Sequence, residues 1–330
     1  MRKKLHKKLI VHIGYPKTAS TTMQVNFFGK LMKSNKVIGI AHLPGLTNYE
    51  NGVEIHNCYN YIYTGKKNNS KIEEELKKIK KINQKISVFS SESLAWIAED
   101  SKDHTRLPLL IYKNAERINE LFKKYYNKII ILIVIRNQKE LCPSLYKEIL
   151  KVQKLPNYKI WIKKILTNKG IRNSFLNYNK QITTYQKLFG KENVKVLLYE
   201  DLIHDQDYFF KQLGKIFNVT KNFTKRNFLK KKLNINPYSF SMNFTLSDFV
   251  QKFLARHIEN ILPNKIYNIL FKVYHLSLRR IFELIIFKKT PIDIRDQTKQ
   301  IFVFNKFKQI NKKLIKEGLT RNKLKKYNYI

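Results

Sequence analysis

The chain has 330 residues, 43% of them hydrophobic and 13% aromatic, enough apolar material for a large packed core, which excludes a disordered basic tail. It carries 65 Lys+Arg against 24 Asp+Glu, a formal charge of +41. The abundance of Lys, Asn and Ile is what an AT-rich genome favours, so the charge alone does not identify an anionic partner.

The longest uninterrupted apolar run, 129–135, lies between Lys128 and Arg136, far short of the roughly 20 residues a membrane-spanning helix needs. The N-terminus is basic (Arg2, Lys3, Lys4, Lys7, Lys8), but the following apolar stretch is broken by Gly14, Pro16 and Lys17. It therefore lacks a signal-peptide core, and a cytoplasmic location is predicted. Cys58 and Cys142 are too few for a disulfide framework and have no zinc spacing, so both are expected to be reduced packing residues.

Residues 8–13 form a short β-type run that ends in Gly14-Tyr15-Pro16-Lys17-Thr18-Ala19-Ser20-Thr21-Thr22, after which Met23, Val25, Phe27, Phe28 and Leu31 continue with mixed helical spacing. The pattern reads strand, loop, helix. Residues 43–69 are rich in Asn, Gly and Tyr without a sustained period and predict a long connection or insertion. A charged helix over 70–84 leads to a strand at 86–89, which stops at Ser90-Ser91-Glu92-Ser93. A helix over about 108–126 precedes the strongest strand, 129–135. Its apolar, mostly β-branched and non-alternating residues suit a central parallel strand covered on both faces. A helix over 177–189, stopped by Gly190, and a strand over 194–199 extend the alternation to about residue 200. Beyond it, 208–217 reads as helix, 223–233 as basic, and 245–287 and 292–324 as mainly helical. The predicted fold is α/β: a doubly wound, mostly parallel sheet flanked by helices, in one domain over 1–330 with a helical C-terminal region from about 240.

A loop that leaves a parallel strand and opens a helix directs free backbone N–H groups and a helix dipole at an anion. Lys17 adds a mobile positive charge, Ser20, Thr21 and Thr22 add hydroxyls, and Pro16 stiffens the approach. The ATPase and GTPase pattern is absent, because Lys17 precedes the hydroxyl residues instead of following them. Arg136 comes directly after the central strand, where open α/β sheets bind ligands, and Ser144 follows on the next helix, expected from Leu141. A planar guanidinium and a hydroxyl at this spacing can converge on one phosphate.

The stretch from Gly14 to Gln24 resembles the 5′-phosphosulfate loop of sulfotransferases, and Ile135-Arg136-Asn137-Gln138 … Ser144-Leu145-Tyr146 resembles their 3′-phosphate motif. The family usually has Gly in place of Ala19, often Thr in place of Ser20, and commonly Pro in place of Gln138. Ala19 is the one blemish on the motif, suited to it only if the backbone there does not need positive φ. Similarity continues through 178–219 and in the tail, Phe304-Asn305 to Tyr327-Asn328-Tyr329. The resemblance implies 3′-phosphoadenosine 5′-phosphosulfate (PAPS) as co-substrate, held by Gly14, Lys17, Thr18, Ala19, Ser20, Thr21, Thr22, Arg136 and Ser144, with Tyr199 near the adenine. No metal is implied.

Sulfuryl transfer needs charge stabilisation on the leaving phosphate oxygen, a task suited to Lys17, and a base for the acceptor proton. Glu92, just past a strand end, and His42, after the first helix, are the two candidate bases; His56 or no base at all are the remaining readings. A structural carboxylate at a helix start and a solvated loop histidine are the plainer accounts of Glu92 and His42.

Lys265, Lys272 and Arg279 recur every seven residues beside Ile266, Ile269, Leu270, Val273 and Leu276, an amphipathic basic helix. It suits peripheral contact with an anionic membrane, a track for a polyanionic saccharide, or a solvated face packed on the core. The expected acceptor is a hydroxyl of a glycan or lipid-linked saccharide. The alternative function is a non-catalytic protein binding nucleic acid or another polyanion. No basic motif interleaved with aromatic residues stands out, which disfavours nucleic acid.

Overall fold

Six parallel strands make the main sheet: β1 (Lys8–Gly14), β2 (Ile38–Ile40), β3 (Gly52–Val53), β4 (Ile86–Ser91), β5 (Lys128–Ile135) and β6 (Val194–Leu198), in the order β3-β2-β4-β1-β5-β6. The computed structural model describes residues 7–40, 52–91, 94, 107–152, 158–165, 176–228, 244–245, 286–287 and 304–330. The connections are α1 (Ser20–Thr22), a π-helical turn (Met23–Phe28), α2 (Gly29–Lys33), α3 (His56–Thr64), α4 (Asn69–Lys80), α5 (Leu107–Phe122), α6 (Gln138–Val152), α7 (Tyr158–Ile165) and α8 (Tyr178–Phe189). After β6 come α9 (Tyr199–His204), α10 (Gln206–Phe217), α11 (Lys221–Phe228), α12 (Phe304–Lys312) and α13 (Arg321–Lys326). The sheet is doubly wound, and helices form the C-terminal extension.

Strand β5 reads as a continuous apolar run, and β1 as one broken only at His12, because both faces are covered: Leu9 to Ile13 and Ile129 to Ile135 are buried throughout. One face, carrying Ile10, Val88, Ile130, Leu132 and Val134, packs on Phe27, Phe28 and Leu31 and on Phe209, Phe210, Leu213 and Phe217 of α10. Phe89, one residue on from Val88 and so on the other face, meets Phe122 of α5 at 5.9 Å between ring centroids. Each fully buried side chain of this size contributes roughly 1.5–3 kcal/mol.

The mixed spacing after the first loop has a physical cause. Met23, Gln24, Phe27, Phe28, Leu31 and Met32 are buried in pairs four residues apart, a wider period than 3.6. A π turn supplies it, and Gly29 N–H donates to the Gln24 carbonyl five residues back.

Several expectations are corrected. The stretch predicted as a long connection contains β3 and α3; the start of α3 is set from a distance, where Glu75 of α4 accepts from the N–H groups of Asn57 and Cys58 at 2.9 and 2.8 Å. Strand β2 is fully buried but has only three residues, too few to show a period. The sixth strand ends at Leu198, and Tyr199 opens α9. Helix α6 begins at Gln138, three residues before the predicted Leu141, because Asn137 Oδ1 accepts from Lys139 N–H at 2.9 Å and caps it.

The chain divides into two compact units, Met1–Leu233 with Thr298–Ile330, and Asn234–Gln297. In the second unit β7 (Phe244–Thr245) pairs antiparallel with β8 (Ile286–Phe287), so Thr245 and Ile286–Phe287 are strand rather than helix, in keeping with their β-branched and aromatic side chains. Lys265, Lys272 and Arg279 lie outside the described residues.

Candidate active site

From β1 the chain builds β2, β3 and β4 on one side, then crosses to β5 and β6 on the other. The tips of β1 and β5 therefore flank the point where the strand order reverses, the place where open α/β sheets bind ligands. Gly14 is in register with Val134, so the loop leaving β1 and the loop leaving β5 emerge side by side, about 4.8 Å apart in the hydrogen-bonding direction.

Two side chains tie these loops together. Arg136, 6% exposed, donates from Nη1 to the Lys17 carbonyl at 3.1 Å. Its guanidinium lies over the Tyr199 ring at 4.7 Å and 4.0 Å from Glu140 Oε2. Tyr178 packs edge-on against Tyr15 at 5.2 Å and donates its hydroxyl to the Arg136 carbonyl at 2.5 Å. Burial pushes the phenols of Tyr15 and Tyr178 far above their usual pKa, so both are neutral.

Within the first loop the hydroxyls divide by task. Thr18 and Ser20 are buried, and both donate to the Tyr15 carbonyl, at 2.7 and 2.8 Å. Their protons are engaged in shaping the loop. Thr21 is exposed, and Lys17, Ala19 and Thr22 are half-buried. Ala19, the N-cap of α1, supplies no side-chain cap, and the first-turn N–H groups suit an outside acceptor.

The condition set for Ala19 is not met. Its φ is 65°, and Lys17 has φ 63°, so the loop does require the left-handed conformation that glycine takes without strain. Each such non-glycine residue costs about 1–2 kcal/mol. Positive φ at two places in one loop marks a conformation held by its surroundings, and here the Arg136 and Tyr178 contacts provide the hold.

Ser144 is half-buried in α6, about 9 Å along the helix axis from its first residue. Glu92 and His42 lie outside the described residues. Ser91, immediately before Glu92, is in register with Ile13 on the neighbouring β1. His56 is exposed at the start of α3 and meets Asn60 at 2.9 Å. It follows β3, three strand positions from β1, or about 14 Å.

The structure also brings in residues that the sequence did not single out. His12 Nδ1 meets Ser90 Oγ at 2.8 Å, and Gln24 donates to the same oxygen at 3.1 Å. Burial lowers the His12 pKa to about 3, so the ring is neutral beneath the loops. Past β5 and β6, Asn137 N–H donates to Glu200 Oε1 at 2.7 Å. Burial raises the Glu200 pKa, while the Asn137 N–H and the Tyr329 hydroxyl act against that rise. Asn137 and Glu200 carry one sequence signal, a polar residue just past a strand, whereas His12 and Ser90 lie within strands and Gln24 within the π turn. Among the described residues, no cluster of His, Cys, Asp and Glu could hold a metal ion, and no helix is long and apolar enough to cross a membrane. Cys58 and Cys142 are buried and free.

No protein-family model matches the chain, and no curated protein matches it. Among solved structures it is similar to a sulfotransferase from Alicyclobacillus acidocaldarius, at 13% identity and a TM-score of 0.41, over 82% of this chain and 98% of that one. It is also similar to a mouse sulfotransferase complexed with PAP, at 12% identity and a TM-score of 0.36, over 90% of this chain and 89% of that one.

Proposed function

We propose that the chain is a sulfotransferase moving the sulfuryl group of PAPS to a hydroxyl of a glycan or lipid-linked saccharide. The observation that carries this reading is the 3.1 Å hydrogen bond from Arg136 to the Lys17 carbonyl. It joins two anion-binding loops across adjacent strand tips, as a nucleotide phosphorylated at both ends of its ribose requires. When bound, PAPS supplies the activated sulfuryl group. Lys17 brings a mobile cation to the mouth of the first loop, and the N–H groups of Ser20, Thr21 and Thr22 are donors preorganised for an anion. Arg136 and Ser144 serve the 3′-phosphate, and Tyr199, whose ring lies 4.7 Å from the guanidinium, is assigned to the adenine. Glu92 is the preferred base for the acceptor proton because it follows the strand next to β1; His42 is the second candidate. We place the protein in the cytoplasm.

Calorimetry with 3′-phosphoadenosine 5′-phosphate tests the reading. The wild type binds it, and Lys17→Ala and Arg136→Ala lose binding. A folded wild type that fails to bind removes the proposal.

A further inference from the structure

The residue after Arg136 is held by the far end of the chain. Asn137 donates from Nδ2 to the carbonyls of Tyr327 and Asn328, both at 2.8 Å. Glu200, which accepts from Asn137 N–H at 2.7 Å, uses its other oxygen to accept from the Tyr329 hydroxyl at 2.9 Å. Asn311 of α12 donates to the Tyr329 carbonyl at 3.0 Å and exchanges hydrogen bonds with Gln138 at 3.0 and 3.1 Å. Asp201 receives the Tyr327 hydroxyl at 2.9 Å and Lys323 at 2.8 Å. Asn137, Gln138, Asp201, Asn311 and Tyr329 are each at most 5% exposed.

The peptide that links Arg136 to Asn137 is thus gripped on both sides, its carbonyl by Tyr178 and its N–H by Glu200. Fixing that peptide fixes the direction in which the arginine side chain leaves the backbone. An apolar tail packed on the sheet would stabilise the fold without any of these bonds. Here buried polar groups with fully matched partners specify one geometry around one residue.

We propose that the C-terminal segment Tyr327, Asn328 and Tyr329 is a specificity element: through Glu200 and Asn137 it positions Arg136 for a 3′-phosphate, so that the enzyme prefers 3′-phosphorylated nucleotides. The inference rests on the functional reading above. Tyr329 is a positioning residue that acts through Glu200 and touches no nucleotide.

The test compares two probes, adenosine 3′,5′-bisphosphate and adenosine 5′-phosphate, by calorimetry on the full-length wild type and Tyr329→Phe. The variant keeps the ring and removes the hydroxyl. Affinity for the bisphosphate is expected to fall about five- to tenfold, the equivalent of one positioned hydrogen bond, and that for the 5′-phosphate less than about twofold. Glu200→Gln, which keeps the side-chain shape, gives the same selective loss and serves if Tyr329→Phe does not fold. A wild type with no preference for the bisphosphate overturns the functional reading and this inference with it. A wild type with that preference, retained in full by a folded variant or lost equally for both probes, overturns the C-terminal role alone.

Discussion

Ala19 sits at φ 65° where the loop geometry suits glycine. Replacing it relieves about 1–2 kcal/mol of left-handed strain, while glycine's greater freedom in the unfolded chain returns about 0.4–1 kcal/mol. Ala19→Gly should therefore stabilise the protein by roughly 0.5–1 kcal/mol in urea unfolding; a lower midpoint would mean that the loop does not hold this conformation. His12 carries a second prediction. Its folded pKa of about 3 lies below the ordinary value of 6.5, so between these values the unfolded chain binds a proton that the folded protein does not. Stability contributed by the neutral ring is complete above pH 6.5 and is lost as pH falls toward 3, by up to about 1.4 kcal/mol per pH unit. In His12→Gln this slope should vanish from pH-dependent denaturation curves, and an unchanged slope would assign it to other groups. At the reaction itself, Glu92→Gln should depress turnover about 10²–10⁴-fold with nucleotide affinity nearly intact, and unchanged turnover excludes Glu92 as the base. Arg136, directly after β5, and Lys17, three residues after β1, could be singled out from the sequence because each sits in a local motif at a strand end. Glu200 and Tyr329 could not, because their meaning arises only from contacts more than sixty residues apart along the chain.

At the scale of elements, what could be read in advance depended on how much of an element's stability is local. Strand β5 declares itself by an apolar run, β1 and β4 by shorter apolar stretches, and α8 by Asn177 and Gly190 at its ends, where Asn177 Oδ1 accepts from Lys180 N–H at 3.2 Å and Gly190 takes φ 87°. Helix α3 does not, since its N-terminal cap is a carboxylate supplied by α4. The close contact between α10 and α11 also depends on a residue with no side chain. A Cβ at Gly214 would stand 2.6 Å from the Val219 carbonyl oxygen and 3.2 Å from Thr224 Oγ1. The Val219 N–H in turn donates to the Gly214 carbonyl at 2.9 Å, with Asn218 left-handed at φ 56° between them. Backbone cannot yield as a flexible side chain does, so the gain in helix propensity is outweighed. Gly214→Ala should cost about 1–3 kcal/mol as overpacking, read as a lower chemical-denaturation midpoint; a neutral or stabilising result would show that the α10–α11 turn can open without penalty.

For the molecule as a whole, a formal charge of +41 acts in two ways that can be separated. Like charges spread over the surface repel one another and oppose the compact state, and salt screens that repulsion irrespective of where the charges lie. An anion seated in the Lys17 loop binds the folded protein alone and stabilises it by mass action. Raising sodium chloride from about 20 mM to about 0.5 M should therefore raise the melting temperature of the wild type and of Lys17→Ala alike, because the substitution removes one charge from a large excess. Sulfate at matched ionic strength should raise it further in both, through exclusion from the protein surface, but the increment should be larger in the wild type. The difference between the two proteins in sulfate, minus their difference in chloride, isolates the loop from the rest of the surface. If that quantity is zero, the positive charge serves solubility and general attraction, and the loop has no particular hold on a sulfate-shaped anion.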